Sequence, residues 1–133
     1  MEKLITGIHH AALKCSSVEE FEKTVRFYSE TLGMEIVRTW GEGVFAGIML
    51  NTGDGSLMEI FANAESRLPQ GAIRHLALRT GDVDAAVEAV RKAGYEITDE
   101  PKDIVIPSEV PFPARVAFAI GPVGEEIEFF CEK

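Results

Sequence analysis

Cysteine is scarce in this chain. Cys15 and Cys131 are the only two, and no Cys-x-x-Cys spacing occurs. That excludes a disulfide scaffold and leaves reduced, partly buried thiols as the expectation. No apolar run approaches the ~18 residues of a membrane-spanning helix. Positive charge is also short: 13 Lys and Arg face 22 Asp and Glu, for a net charge of −9. Such a surface repels nucleic-acid phosphates and anionic membranes, so neither is an expected partner. The opening Met1-Glu2-Lys3-Leu4-Ile5-Thr6-Gly7 has no apolar signal-peptide core, which makes a cytoplasmic address the expectation.

What is present suits a compact fold. The 133 residues are 46% apolar and 26% charged, with aromatic and β-branched residues throughout. This excludes a disordered chain and is enough for a single domain over 1–133.

The chain repeats itself. His10-Ala11-Ala12-Leu13-Lys14 recurs as His75-Leu76-Ala77-Leu78-Arg79. Each copy leads into a helical pattern beginning at a valine, Val18 or Val83, and each pattern stops at a glycine, in Gly33-Met34-Glu35-Ile36 and Gly94-Tyr95-Glu96-Ile97. Near the end of each half stands Glu59-Ile60-Phe61 or Glu128-Phe129-Phe130. The offset between copies is 65 residues at the histidines, 61 at the glycines and 69 at the glutamates. The first helix is therefore four residues longer, about one turn. The second half then gains eight residues, expected as a loop in the Pro-rich stretch Pro101 to Pro113.

Local signals divide each half. Ile8 to Lys14 reads as a strand, and Ser17-Val18-Glu19-Glu20 as a capping box. Phe21, Val25, Tyr28 and Leu32 follow at helical spacing, up to the Gly33 stop. Glu35 to Trp40, Val44 to Asn51 and Leu57 to Asn63 read as strands. The second half predicts a strand over Ile73 to Thr80 and a helix from Asp82 to Gly94. Strands near Tyr95–Thr98, Ala114–Ile120 and Glu126–Cys131 follow. The expected fold is α+β: two βαβββ modules, 7–63 and 71–131.

Strand alternation puts His10, Ala12 and Lys14 on one face, matched by His75, Ala77 and Arg79. The opposite face carries His9, which reads as structural. If the first and last strands of a half are neighbours, His10 meets Glu59 and His75 meets Glu128. A lone strand-end histidine is ordinarily a hydrogen-bonded structural residue. Two histidines and two glutamates at equivalent places, in a chain with only 3 His, point instead to a divalent metal with two coordination positions open.

The same residues resemble the vicinal oxygen chelate superfamily, which includes glyoxalase I, methylmalonyl-CoA epimerase, extradiol dioxygenases and the fosfomycin and bleomycin resistance proteins. The likeness spans nearly the whole chain. It is carried by His10-xxx-Lys14, by Arg26-Phe27-Tyr28 running to Leu32-Gly33-Met34, by Glu59 and His75, and by Gly121-Pro122-Val123-Gly124-Glu125-Glu126-Ile127-Glu128. Gly121 and Val123 stand where the family usually has aspartates. The four-ligand set is similar to the glyoxalase I and epimerase branches, and the segment from Phe27 to Thr39 resembles short bacterial glyoxalases.

The resemblance implies a glyoxalase I-like lyase that moves a proton on a hemithioacetal through an enediolate. His10, Glu59, His75 and Glu128 would bind one metal ion per site, with Ni favoured over Zn, Mn, Co or Fe. Glu128 would be the catalytic base and Glu59 its opposite-face partner. Lys14, Asn63 and Arg79 would bind a substrate such as an adduct of glutathione or another thiol. Lys14 replaces the family's arginine and keeps charge without the bidentate fork. The loop from Ile106 to Pro113 lacks the Gly-rich basic segment of those enzymes. By the same resemblance the protein is a homodimer whose site is shared between subunits, with an intrachain site as the competing geometry. The alternatives are an acyl-thioester epimerase using the same ligands, and a non-catalytic small-molecule or antibiotic-binding protein.

Overall fold

The computed structural model describes residues 4–107 and 109–133. Residues 1–3, part of the segment read for a leader, and Ser108 in the Pro-rich stretch lie outside the described residues. The chain divides into two compact units, Met1–Leu68 and Pro69–Lys133. Each is βαβββ, as the repeat predicts.

The first unit holds β1 (His10–Lys14), α1 (Val18–Arg26), a π-helical continuation (Phe27–Thr31), β2 (Glu35–Trp40), β3 (Gly47–Asn51) and β4 (Leu57–Phe61), in sheet order β1-β4-β3-β2. The second holds β5 (Leu76–Arg79), α2 (Val83–Lys92), β6 (Ile97–Ile106), β7 (Phe112–Ile120) and β8 (Glu126–Glu132), in sheet order β5-β8-β7-β6. First and last strands of each unit pair in parallel, β1 with β4 and β5 with β8, which is the neighbour relation the site requires.

Helix ends follow local chemistry. The Ser17 hydroxyl accepts from the Glu20 N–H at 3.0 Å, and the Asp82 carboxylate accepts from the Ala85 N–H at 3.0 Å. The return half of the expected capping box differs. Glu20 accepts from the Ser16 N–H at 2.9 Å, one residue before the cap. At the far end Gly33 (φ +79°) and Gly94 (φ +91°) take the left-handed conformation that a Cβ disfavours. The first helical run is fourteen residues against ten in the second, matching the four-residue offset. The extra length is taken up by the wider π turn, closed by the Leu32 N–H donating to the Phe27 carbonyl at 3.0 Å.

Each unit packs its helix on one sheet face. Phe27, Tyr28, Leu50, Met58 and Ile60 are buried in the first unit; Val83, Val87, Val90, Val116, Ile127 and Phe129 are buried in the second. The opposite sheet face is left for the polar residues of β1, β4, β5 and β8. Thr24 is buried too, its hydroxyl donating to the Glu20 carbonyl at 2.6 Å. Cys15 is buried, its thiol donating to the Thr24 hydroxyl at 3.6 Å, and Cys131 is half-buried; neither is in a disulfide, as expected.

Several boundaries depart from expectation. β1 starts at His10 rather than Ile8, and β5 at Leu76 rather than Ile73, because the ladders begin at Leu57 and Ile127. The predicted strand from Val44 starts at Gly47; Gly43–Phe45 is a 3-10 turn closed by the Ala46 N–H on the Gly43 carbonyl. Gly47 pairs with Trp40, whose indole occupies the place where a Cβ would stand. β4 ends at Phe61, so Asn63 lies beyond the strand.

The eight inserted residues are not a loop. β6 and β7 have 10 and 9 residues where β2 and β3 have 6 and 5, so the insertion lengthens a hairpin. Pro101 is tolerated because β6 is an edge strand and the register shifts between Asp99 and Lys102.

Candidate functional site

Two His–Glu pairs occupy equivalent places. Ala12 is opposite Glu59 in the β1–β4 ladder, and Ala77 is opposite Glu128 in the β5–β8 ladder. Each histidine stands two residues before its alanine, on the same side of the pleat as the glutamate. His10 Nε2 is therefore 3.5 Å from Glu59 Oε1, and His75 Nε2 is 3.2 Å from Glu128 Oε1. The imidazoles are about 40% exposed while both carboxylates are below 15%. Each pair presents two donors from an open sheet face.

The environments of the pairs differ. His75 packs edge-on against Phe118 with ring centroids 5.6 Å apart. Burial pushes the Glu128 carboxyl above the ordinary carboxylate range; His75 pulls it down and Glu126 pushes it further up. Position 57, which corresponds to Glu126, is Leu57, so the first unit lacks that second carboxylate. His10 has a second ring beside it. His9 does not face the core: it is exposed, and its Nδ1 lies 2.9 Å from His10 Nδ1. Position 9 stands just before β1, its carbonyl accepting from the Leu57 N–H at 2.9 Å, and its ring folds back against His10. The His9-His10 doublet was a visible signal; Phe118 and Glu126 became relevant only through sheet pairing.

Lys14, Asn63 and Arg79 are exposed, the first and last at the ends of β1 and β5 and Asn63 two residues past β4. Lys14 closes β1 opposite Phe61, and Arg79 closes β5 opposite Phe130, both on the face of their histidines. Among the described residues these three make no hydrogen bond or ion pair with the His–Glu pairs. Nor does any group of three or more His, Cys, Asp or Glu suited to holding an ion occur among the described residues. The donors come as pairs, one per unit.

Two donors held at ~2.1 Å by one ion stand about 3.0 Å apart at a right angle and about 3.4 Å apart at a tetrahedral angle. The observed 3.5 and 3.2 Å are close to that range, so each pair fits two positions of one divalent ion. Imidazole with carboxylate suits Zn, Ni, Fe, Co or Mn.

Two βαβββ units, each with a His–Glu pair between its first and last strands, define a duplicated-module fold with paired donor sets. The chain belongs to the glyoxalase/bleomycin resistance protein/dioxygenase superfamily, whose family model matches residues 7–129. It is 30% identical over 123 residues to the lactoylglutathione lyase of Haemophilus influenzae, covering 87% of each chain. It is 31% identical over 118 residues to the uncharacterised YwbC of Bacillus subtilis, covering 85% of this chain and 90% of that one. The fold is shared with an antibiotic-binding protein of Streptomyces, TnmS3 (TM-score 0.73, 23% identity, covering 99% and 100%). It is shared equally with the trypanothione-dependent glyoxalase I of Leishmania major (TM-score 0.70, 23% identity, covering 96% and 87%). The superfamily thus holds enzymes and binding proteins on one scaffold, and its members bind small molecules. Among the described residues no helix is long and apolar enough to cross a membrane.

Proposed function

We propose that the protein is a metal-dependent lyase of the glyoxalase I type, acting on a hemithioacetal or a related substrate with adjacent oxygens. The observation that carries this reading is the repeated His–Glu pair, at 3.5 and 3.2 Å on equivalent registers. A purely structural role does not call for the same two residue types at the same two places in both units. His10, Glu59, His75 and Glu128 together hold one divalent ion, with Ni²⁺ favoured. Each pair supplies half of the ligands, and the protein is a homodimer in which subunits share the site.

When bound, the ion supplies Lewis acidity to the substrate oxygens, making the adjacent C–H acidic. Glu128 takes that proton and returns it to the neighbouring carbon, with Glu59 on the opposite face. Burial of Glu128 raises its proton affinity, which suits a group that must both accept and release a proton. Lys14 and Arg79 bring positive charge to the histidine faces and Asn63 adds an amide, which together orient an anionic thiol adduct. The same ligands would serve an acyl-thioester epimerase.

The test joins metal analysis to a substrate panel. Protein purified without chelator is expected to hold one divalent ion per site, and His10→Ala or His75→Ala to abolish stoichiometric metal. The loaded protein is expected to turn over the methylglyoxal–glutathione hemithioacetal in preference to acyl thioesters. Full metal retention in either variant refutes the ligand set. An inert panel combined with tight antibiotic binding refutes the enzyme. Mixing His10→Ala chains with His75→Ala chains restores activity if subunits share the site; exchange of subunits without recovery refutes the sharing.

A further inference from the structure

Each histidine of the site needs its second ring nitrogen managed. An imidazole binds a metal through a bare nitrogen, so the neutral ring must carry its proton on the other one. For His10 the nitrogen facing Glu59 is Nε2, at 3.5 Å, and the other, Nδ1, lies 2.9 Å from His9 Nδ1. At that separation one of the two Nδ1 atoms donates and the other accepts. If His9 donated, the proton of His10 would stand on Nε2 and block the metal position. If His10 donates, Nε2 is bare and His9 carries its own proton on its Nε2. The two rings also stand edge to face, 81° apart with centroids at 5.1 Å, which limits rotation of either.

We propose that His9 is a positioning residue for His10: its Nδ1 accepts a hydrogen bond from the His10 Nδ1–H, which holds the proton on that nitrogen and so keeps His10 Nε2 bare and aimed beside Glu59. The inference rests on the ligand set of the proposed function and adds a residue outside it. It also makes the two halves unequal. The position matching His9 is Arg74, whose guanidinium donates to the Gly71 carbonyl at 3.4 Å, while His75 is flanked by Phe118. One histidine is thus oriented by a hydrogen bond and the other by a ring edge.

Because His9 is exposed, its replacement perturbs no core packing. The experiment uses the full chain, with His9→Phe to remove the acceptor and His9→Asn to restore one through its side-chain oxygen. Nitrogen-15 histidine NMR of the metal-free protein at about pH 8, where free imidazole is neutral, reads the tautomer. The His10 signals are identified by their loss in His10→Ala. Wild type is expected to show His10 protonated on Nδ1, His9→Phe to lose that preference, and His9→Asn to recover it. Zn²⁺ titration is expected to give about 10- to 100-fold weaker binding in His9→Phe, in line with the usual cost of losing an outer partner of a metal ligand, and near-wild-type binding in His9→Asn. Thermal melts of the metal-free variants are expected to coincide. A wild-type His10 protonated on Nε2, or equal Zn²⁺ affinity in wild type and His9→Phe, overturns the proposal. If the wild-type protein binds no ion, the proposed function falls. The tautomer spectra then decide the His9 contact alone: an Nδ1 proton on His10 that His9→Phe removes upholds it, and any other pattern overturns it.

Discussion

Replacing Glu128 with glutamine separates proton transfer from everything else the residue does. Shape is conserved, an oxygen remains near His75 Nε2, now 3.2 Å away, and only the charge and the ability to accept a proton are lost. A positioned general base contributes ~10²- to 10⁴-fold, equivalent to about 3–5 kcal/mol of barrier, so turnover at saturating metal should fall by that factor. Metal at saturation should stay, since the amide oxygen still ligates and three ligands are untouched. Stability of the metal-free protein should not fall. Burial raises the Glu128 carboxyl above its unfolded value, so its contribution to stability is full below the unfolded value and is lost as pH rises through the folded one. Above the folded value the buried carboxylate therefore opposes folding, and the amide relieves this. The assay is deuterium wash-in from heavy water at the reacting carbon, run beside metal analysis and urea unfolding. Unchanged turnover and wash-in at full metal occupancy would refute Glu128 as the base.

Three further outcomes probe the scaffold. Gly33→Ala should destabilise by about 1–2 kcal/mol, all of it backbone strain, because φ is +79° and no atom lies within 4 Å of the added Cβ; urea midpoints read this. Leu50→Ala removes a fully buried side chain from β3 and should lower stability by about 2–5 kcal/mol, whereas a cost near zero would contradict its place in the core. Asp54, pushed down to about 2 by hydrogen bonds from Ser56 and Thr52, contributes stability above its unfolded value, and that contribution fades as pH falls through about 2. Thermal melts of Asp54→Asn and wild type should therefore differ at neutral pH and converge towards pH 2.

Features set by near neighbours along the chain are legible in the sequence itself. Ser17 and Asp82 announce helix starts because their side chains need only reach an N–H three residues on. Gly33 and Gly94 announce the ends because only glycine takes positive φ without strain. The internal repeat extends this to pairing. Duplicated His10 and His75, with duplicated Glu59 and Glu128, meet in pairs only if the first and last strands of each half are neighbours, and β1–β4 and β5–β8 are.

Tertiary contacts decided the rest. The hairpin of β6 and β7 runs on past Pro101 because an edge strand with a register shift does not need that residue's missing N–H, which a proline in sequence does not disclose. The chain at Gly43–Phe45 forms a 3-10 turn where apolar residues suggested a strand. His9 is the clearest case. Period-two alternation sets the side from which a Cβ leaves the strand and not the rotamer of an exposed ring at the strand's edge. With its carbonyl held by the Leu57 N–H, the exposed His9 ring turns to its neighbour's Nδ1 at 2.9 Å. Sequence by itself therefore determined the two modules, their caps and the four candidate ligands, all carried by local geometry or by repetition. The strand ends and the fate of the inserted residues depended on where partner strands start and stop, and hydrogen bonds between distant residues decide that; the second ring beside His10 depended on a side-chain rotamer that strand alternation does not set.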